Sequence, residues 1–176
     1  MRGRTFVFHT TWGLFNPRGV DDGSRLLIRH LEVPSDHRCI DIGCGYGAIG
    51  LALAHLCPDG EVDMVDKDFV AVEYADKNAA GNGLSNCQAY LSNGFSNVPA
   101  VSFDTVVSNL PAKAGNEMLS ILLSDAHRYL RVGGALWVVT HAGLKAYVKR
   151  AFQEIFGNYQ KVKQGRTHSV ARAFKV

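Results

Sequence analysis

The chain has 176 residues, 47% of them apolar, and a formal net charge of +3. That length and composition predict one globular domain with a core of its own and exclude a disordered or low-complexity chain. No apolar run reaches the ~18 residues of a membrane-spanning helix, and Phe6-Val7-Phe8 after the basic start is too short for a signal-peptide centre. A cytosolic protein is therefore expected. Cys39, Cys44, Cys57 and Cys87 form no CxxC pair, and the seven histidines show no ligand spacing. Neither a metal nor a disulfide framework is expected.

Charge is spread unevenly. Residues 141–176 hold eight Lys/Arg against the single acid Glu154, and residues 1–40 hold six basic and four acidic residues. The hundred residues between them carry five basic and eleven acidic ones. A weakly basic whole thus hides a basic C-terminal edge (Lys161, Lys163, Arg166, Arg172) and a basic arm (Arg2, Arg4, Arg18). Such a pattern is either solvated surface or a rim that faces phosphates.

In chain order, residues 5–9 alternate like a short strand, and residues 10–19 read as a loop around Gly13, Pro17 and Gly19. Asp21-Asp22-Gly23-Ser24 opens a helix with an apolar face of Leu26, Leu27 and Leu31, its acids suited to the helix dipole. Strands are predicted over residues 38–42, 61–65, 87–91, 103–108 and 135–140, and helices over 48–57, 69–80, 116–130 and 144–156. Arg131-Val132-Gly133-Gly134 is expected to end the third of these helices. Residues 159–163 and 169–174 read as a closing antiparallel pair joined through Gln164-Gly165-Arg166. Strands alternating with helices predict an α/β, doubly wound and mostly parallel sheet. The final pair adds an antiparallel hairpin at one edge.

The most informative stretch is Cys39-Ile40-Asp41-Ile42-Gly43-Cys44-Gly45-Tyr46-Gly47. An apolar strand carries an acid, then meets glycines at alternate positions, then a helical run. Glycine permits positive φ and close approach of backbone to a ligand, and the helix N-terminus offers free N–H groups. Gly45-x-Gly47-x-x-Gly50 also satisfies the dinucleotide fingerprint, with Asp66 about 20 residues on. The loop alone thus fits either a dinucleotide or S-adenosylmethionine. Three features favour the latter. Asp41 sits where a carboxylate suits an α-ammonium and a sulfonium but would repel a pyrophosphate. Asn109-Leu110-Pro111 follows the fourth strand, where a reactive centre can face the cofactor. The closing hairpin differs from dinucleotide folds.

On these motifs the chain resembles the class I S-adenosylmethionine-dependent methyltransferases. Residues 41–47 resemble their motif I, Asp66 their ribose-binding acid, and Leu91-Ser92-Asn93-Gly94-Phe95 their adenine loop. Ser108-Asn109-Leu110-Pro111 stands at their Asn-Pro-Pro-aromatic motif. Trp12-Gly13-Leu14-Phe15 and Val20-Asp21-Asp22-Gly23-Ser24-Arg25-Leu26-Leu27 narrow the resemblance to the small-subunit rRNA guanine-N2 methyltransferases, in their short single-domain archaeal-type form. The resemblance implies a Rossmann-like, seven-stranded sheet and one methyltransferase domain over residues 1–176, in which 1–35 form a strand, arm and helix ahead of a cofactor-binding core over 36–176.

It also implies roles. Asp41 attracts the methionyl ammonium, while Gly43, Gly45 and Gly47 let backbone lie against the cofactor. Asp66, with Lys67 beside it, holds the ribose, and Asn93-Gly94 meet the adenine. Asn109, Leu110 and Pro111 carry catalysis, the Asn109 side-chain oxygen and the Leu110 carbonyl holding the hydrogens of an exocyclic amine. Two departures matter. Leu110 replaces the first proline, as in the rRNA adenine-N6 dimethyltransferases. Ala112 replaces the aromatic that stacks on a flipped base, leaving Trp12 or Phe15 to do so. His9 and His141 are expected near strand ends facing the pocket.

The implied reaction is methyl transfer to an exocyclic base nitrogen in RNA, most specifically rRNA guanine N2. Adenine N6, a protein glutamine, a small molecule, a non-catalytic binding module and an NAD-dependent dehydrogenase are the competing readings. The oligomeric state stays open between monomer and homodimer.

Overall fold

The strands of the computed structural model, which describes residues 1–176, are β1 (Arg38–Ile42), β2 (Glu61–Asp66), β3 (Cys87–Leu91), β4 (Phe103–Asn109), β5 (Leu130–His141), β6 (Gln160–Gln164) and β7 (His168–Phe174). They form one sheet in the order β3-β2-β1-β4-β5-β7-β6. β1 to β5 are parallel, while β7 runs antiparallel to both β5 and β6. This bears out the expected Rossmann-like seven-stranded sheet with its C-terminal antiparallel hairpin.

Five helices cover the sheet: α1 (Asp22–His30), α2 (Ala48–Leu56), α3 (Phe69–Gly81), α4 (Asn116–Tyr129) and α5 (Lys145–Phe156). Alternating side chains send Cys39, Val107, Trp137 and Val139 into one core with residues of α1, α2 and α3, and Ile40, Ile42, Val106 and Val138 into a second with α4 and α5. A parallel strand covered on both sides needs an almost wholly apolar sequence. Past the half-buried Arg38 at its start, β1 meets that need except at Asp41, which is completely buried. Gly50 of α2 sits against β2: a Cβ there would lie 2.4 Å from Met64 Cγ. No helix is long and apolar enough to cross a membrane.

Two expectations need correction. Residues 5–9 are extended but belong to no sheet. Their backbone pairs instead with two asparagine side chains on α3 and at its end. Asn82 accepts from Val7 N (3.0 Å) and donates to Val7 O (2.7 Å), and Asn78 accepts from His9 N (2.7 Å) and donates to His9 O (3.0 Å). A four-residue helical spacing thus serves alternate residues of an extended chain, doing a neighbouring strand's work with primary amides. The second correction concerns residues 131–134, which start β5 as well as ending the helix before it. Gly133 N donates to Lys175 O (2.7 Å) and Lys175 N to Gly134 O (2.9 Å), so the last residues of the chain draw β5 out to twelve residues.

Candidate active site

β1 and β4 lie side by side, and the chain leaves them toward opposite faces of the sheet, to α2 and to α4. Ligands of open α/β sheets bind at such a switch point, beyond the carboxyl ends of the strands. Ser108 Oγ donates to Ile42 O (2.9 Å), tying the two strand ends together. The glycine loop and the Asn109-Leu110-Pro111 segment therefore emerge next to each other.

The loop is held from behind. Gly43 N and Cys44 N both donate to Val65 O (2.8 and 2.9 Å), and Gly45 N donates to Asp66 Oδ2 (2.9 Å). Gly43 and Gly45 have φ of +74° and +55°, and a Cβ at either would meet nothing within 4 Å. Their open faces border a cradle rather than the core. Gly47 differs. Its φ is +94°, and a Cβ there would lie 2.7 Å from Leu51 and 3.4 Å from Ala75, so this glycine serves helix packing. Gly94, at φ +57°, again borders open space.

Asp41 is the electrostatic centre of the loop. Both carboxylate oxygens are buried without a hydrogen-bond partner at ordinary distance. Burial pushes its pKa up to about 7, offset in part by the Gly50 N–H and reinforced by the Asp66 carboxylate. An orphaned acid costs free energy unless something else satisfies it. Asp66 is half-buried and accepts one backbone N–H on each oxygen, from Gly45 and from Asp68 (3.0 Å). Each oxygen keeps a lone pair for a further donor. Lys67 beside it is exposed. Across the strand ends, Ser92 N donates to Asp66 O (2.9 Å). Ser92 Oγ bridges Gly94 O and Asn97 N, fixing a turn in which the exposed Asn93 side chain bonds to no protein group.

Asn109 is oriented from an unexpected direction. Its Nδ2 donates to Ser24 Oγ (3.1 Å) and to Asp21 Oδ1 and Oδ2 (3.2 and 3.4 Å). Asp21 is also the N-cap of α1, accepting from Ser24 N (3.0 Å). An acid beside the amide permits only the NH2 to face it, so Oδ1 points away from Asp21. The Leu110 N–H donates to Val139 O (2.9 Å) and its side chain is buried. Neither Asn109 Oδ1 nor the Leu110 carbonyl accepts a protein hydrogen bond. Pro111 and Ala112 are exposed. Two free acceptors on adjacent residues, one held rigid by an acid 88 residues away in sequence, can fix the two hydrogens of an amine.

The loop before α1 packs Leu14 against Tyr46, Ala48 and Ala71, leaving Trp12 and Phe15 80% and 71% exposed on either side. Tyr46 has its pKa raised to about 12 by burial and by the Asp21 carboxylate. His141 and His168 stand edge to face with ring centroids 5.8 Å apart, at the end of β5 and the start of β7. Several arginines of the basic arm and edge are neither free solvated charges nor a phosphate rim but hold the fold. Arg2 donates to the Arg29 and Leu31 carbonyls at the end of α1, and Arg4 to Asn82 O. Arg172 lies over Trp137 (4.8 Å) and bonds Gln160 and Glu32. Lys161, Lys163 and Arg166 remain exposed.

The family model of the methyltransferase small domain matches residues 5–172. The chain belongs to the methyltransferase small domain family. Its resemblance to class I S-adenosylmethionine-dependent methyltransferases is thereby borne out. Among its relatives, YbxB of Bacillus subtilis (strain 168) is 34% identical over 180 residues, covering 100% of this chain and 89% of its own. Ribosomal RNA large subunit methyltransferase G of Streptomyces avermitilis is 33% identical over 99% of this chain and 46% of its own. Among solved structures, the T. thermophilus 16S rRNA N2 G1207 methyltransferase (RsmC), in complex with AdoMet and guanosine, superposes with a TM-score of 0.87 at 29% identity. That match covers 97% of this chain and 47% of the neighbour. The chain thus spans about half the length of these two rRNA methyltransferases.

The geometry adds to the site two residues of the entry segment to which the sequence alone gives no role there. Asp21 and Ser24 read locally as helix-opening residues, and nothing in their spacing points to Asn109.

Proposed function

We propose that this protein transfers a methyl group from S-adenosylmethionine to an exocyclic amino nitrogen of a base in RNA, and specifically to N2 of guanine in rRNA. The observation that carries the reading is the Asn109–Leu110 pair of free acceptors, locked by Asp21 and Ser24 beside a glycine cradle with a buried, unpartnered acid. Sequence and fold similarity to proteins named as rRNA methyltransferases supports RNA as substrate. The guanosine bound in the T. thermophilus neighbour supports guanine.

The cradle fits the cofactor on its own chemistry. Asp41 would hold the methionyl ammonium, the open faces of Gly43 and Gly45 the methionine backbone, Asp66 the ribose hydroxyls and Asn93 the adenine amine. Lys67 and Gly94 would line the same rim. When bound, S-adenosylmethionine supplies a methyl group on a sulfonium, which departs with its bonding pair on sulfur. The protein's part is positioning and electrostatics. An aromatic exocyclic amine is a weak nucleophile because its lone pair is delocalised into the ring. Asn109 Oδ1 and the Leu110 carbonyl would each accept one of its hydrogens, favouring a pyramidal nitrogen with its lone pair directed away from them. Pro111 fixes the carbonyl that precedes it. The nitrogen then sheds one proton to solvent, so no strong general base is needed. With Ala112 offering no stacking face, exposed Trp12 or Phe15 would cover the base.

The test is methyl transfer from labelled S-adenosylmethionine by wild type and Asn109→Ala. The expected result is that wild type labels RNA while Asn109→Ala binds cofactor normally and labels nothing. Full turnover by Asn109→Ala would overturn the assignment.

A further inference from the structure

A cleft of about 240 Å³ lies between α1 and the turn joining β6 to β7, lined by Asp22, Arg25, Arg29, Arg166, Thr167 and His168. Two close approaches build it. A Cβ on Gly23 would lie 2.8 Å from His168 Cδ2, and one on Gly165 would lie 3.1 Å from Leu26 Cδ2. The turn is thus seated on the first turns of α1, and both glycines sit where side chains would force the two apart.

The charges in the cleft are unequal. Three guanidinium groups face one carboxylate, that of Asp22, and none of the three has a carboxylate within 4.0 Å. Arg25 spends its Nε on Val20 O (2.7 Å). The side chains of Arg29 and Arg166 bond to nothing in the protein and are exposed. Guanidinium forks match the geometry of phosphate oxygens and are weakly hydrated for a cation. Thr167 adds a hydroxyl at the rim. Position matters as much as charge. Ser24, which holds Asn109, immediately precedes Arg25, and Arg29 lies one helical turn (about 5.4 Å) further along the same face. One short helix thus carries the groups that orient the methyl-accepting site at its first turn and an anion cleft on its next.

We infer that this cleft holds a backbone phosphate of the RNA next to the target nucleotide, with Arg29 and Arg166 as its principal ligands. The inference rests on the RNA methyltransferase reading above. It gives that reading a physical anchor: α1 couples the phosphate to the amide that aims the base. Asn109 is then loaded in register with the strand rather than by the base alone.

Binding of a labelled single-stranded RNA of about 12 nucleotides, measured by anisotropy between about 50 and 200 mM salt, tests it. The proteins are wild type, Arg29→Ala/Arg166→Ala and a charge-matched control, Lys149→Ala/Arg150→Ala, on α5 at the opposite face. Loss of one single-strand phosphate contact should lower the slope of log K against log[salt] by about 0.7 in the first variant. The control should keep the wild-type slope. Melting temperatures should be unchanged in both, since all four side chains are exposed. An unchanged slope in Arg29→Ala/Arg166→Ala, or an equal loss in the control, would overturn the cleft while leaving the methyltransferase reading intact. Wild type that neither binds nor methylates RNA would overturn that reading, and the cleft's assignment with it.

Discussion

Replacing Asp41 with asparagine should stabilise the ligand-free protein at alkaline pH and cripple its cofactor site. An Asp side chain normally titrates near 3.8, and burial pushes Asp41 up to about 7. A difference of about three pH units at 1.36 kcal/mol each is about 4 kcal/mol. The sign follows from proton binding. Between pH 4 and 7 the folded state holds a proton that the unfolded state has lost, so stability falls as pH rises through that window. The penalty is absent below about pH 4 and complete above about pH 7. Asparagine escapes it but buries an amide with few partners, which costs roughly 1–3 kcal/mol. The net gain at pH 8 is then about 1–3 kcal/mol, a rise in Tm of roughly 2–12 °C for a chain of this size. At pH 5, where Asp41 is mostly neutral, the gain should vanish. Thermal melts of the two ligand-free proteins across pH 5–8 give the result. Parallel pH profiles would refute the account of Asp41. So would a binding enthalpy for S-adenosylmethionine at pH 7 that does not depend on buffer, because a cationic ligand beside Asp41 must displace about half a proton.

Other perturbations separate the roles of the site. Asp21→Ser keeps a helix N-cap but removes the acid that holds the Asn109 amide. It should cut kcat about tenfold to a hundredfold with little change in cofactor affinity, as expected for lost alignment, and equal kcat would show that Asn109 needs no such support. Asp66→Ala should weaken cofactor binding and also release Gly45 N, lowering stability by about 1 kcal/mol; calorimetry and a melt read the two effects separately. Asn78→Ala removes bonds to His9 N, His9 O and Tyr46 O. It should cost about 2–3 kcal/mol and speed amide exchange at residues 6–10 before the sheet opens, and unchanged exchange there would mean the arm is held by its apolar contacts alone.

The elements that strands and helices announce by their own periodicity were legible: the parallel sheet, the closing hairpin, the glycine loop and its acid. Local composition suffices there because a buried parallel strand must be apolar and a tight strand–helix turn must be glycine-rich. What escaped sequence reading depends on partners far along the chain. Residues 5–9 carry a strand's alternation, yet their hydrogen bonds go to Asn78 and Asn82, residues that look like ordinary polar positions on a helix and at its end. Arg2 and Arg172 carry the same charge as Arg29 and Arg166, and only their neighbours separate structural cations from free ones. Asp21 looks complete as a helix cap. Its second task appears only when α1 is folded against the end of β4.

The central claim is most directly tested by incubating the protein with radiolabelled S-adenosylmethionine and rRNA from a strain lacking it, then digesting the RNA to nucleosides. The account predicts label in N2-methylguanosine, lost with Asn109→Ala. Label confined to a ring carbon, a ribose oxygen or protein would contradict it.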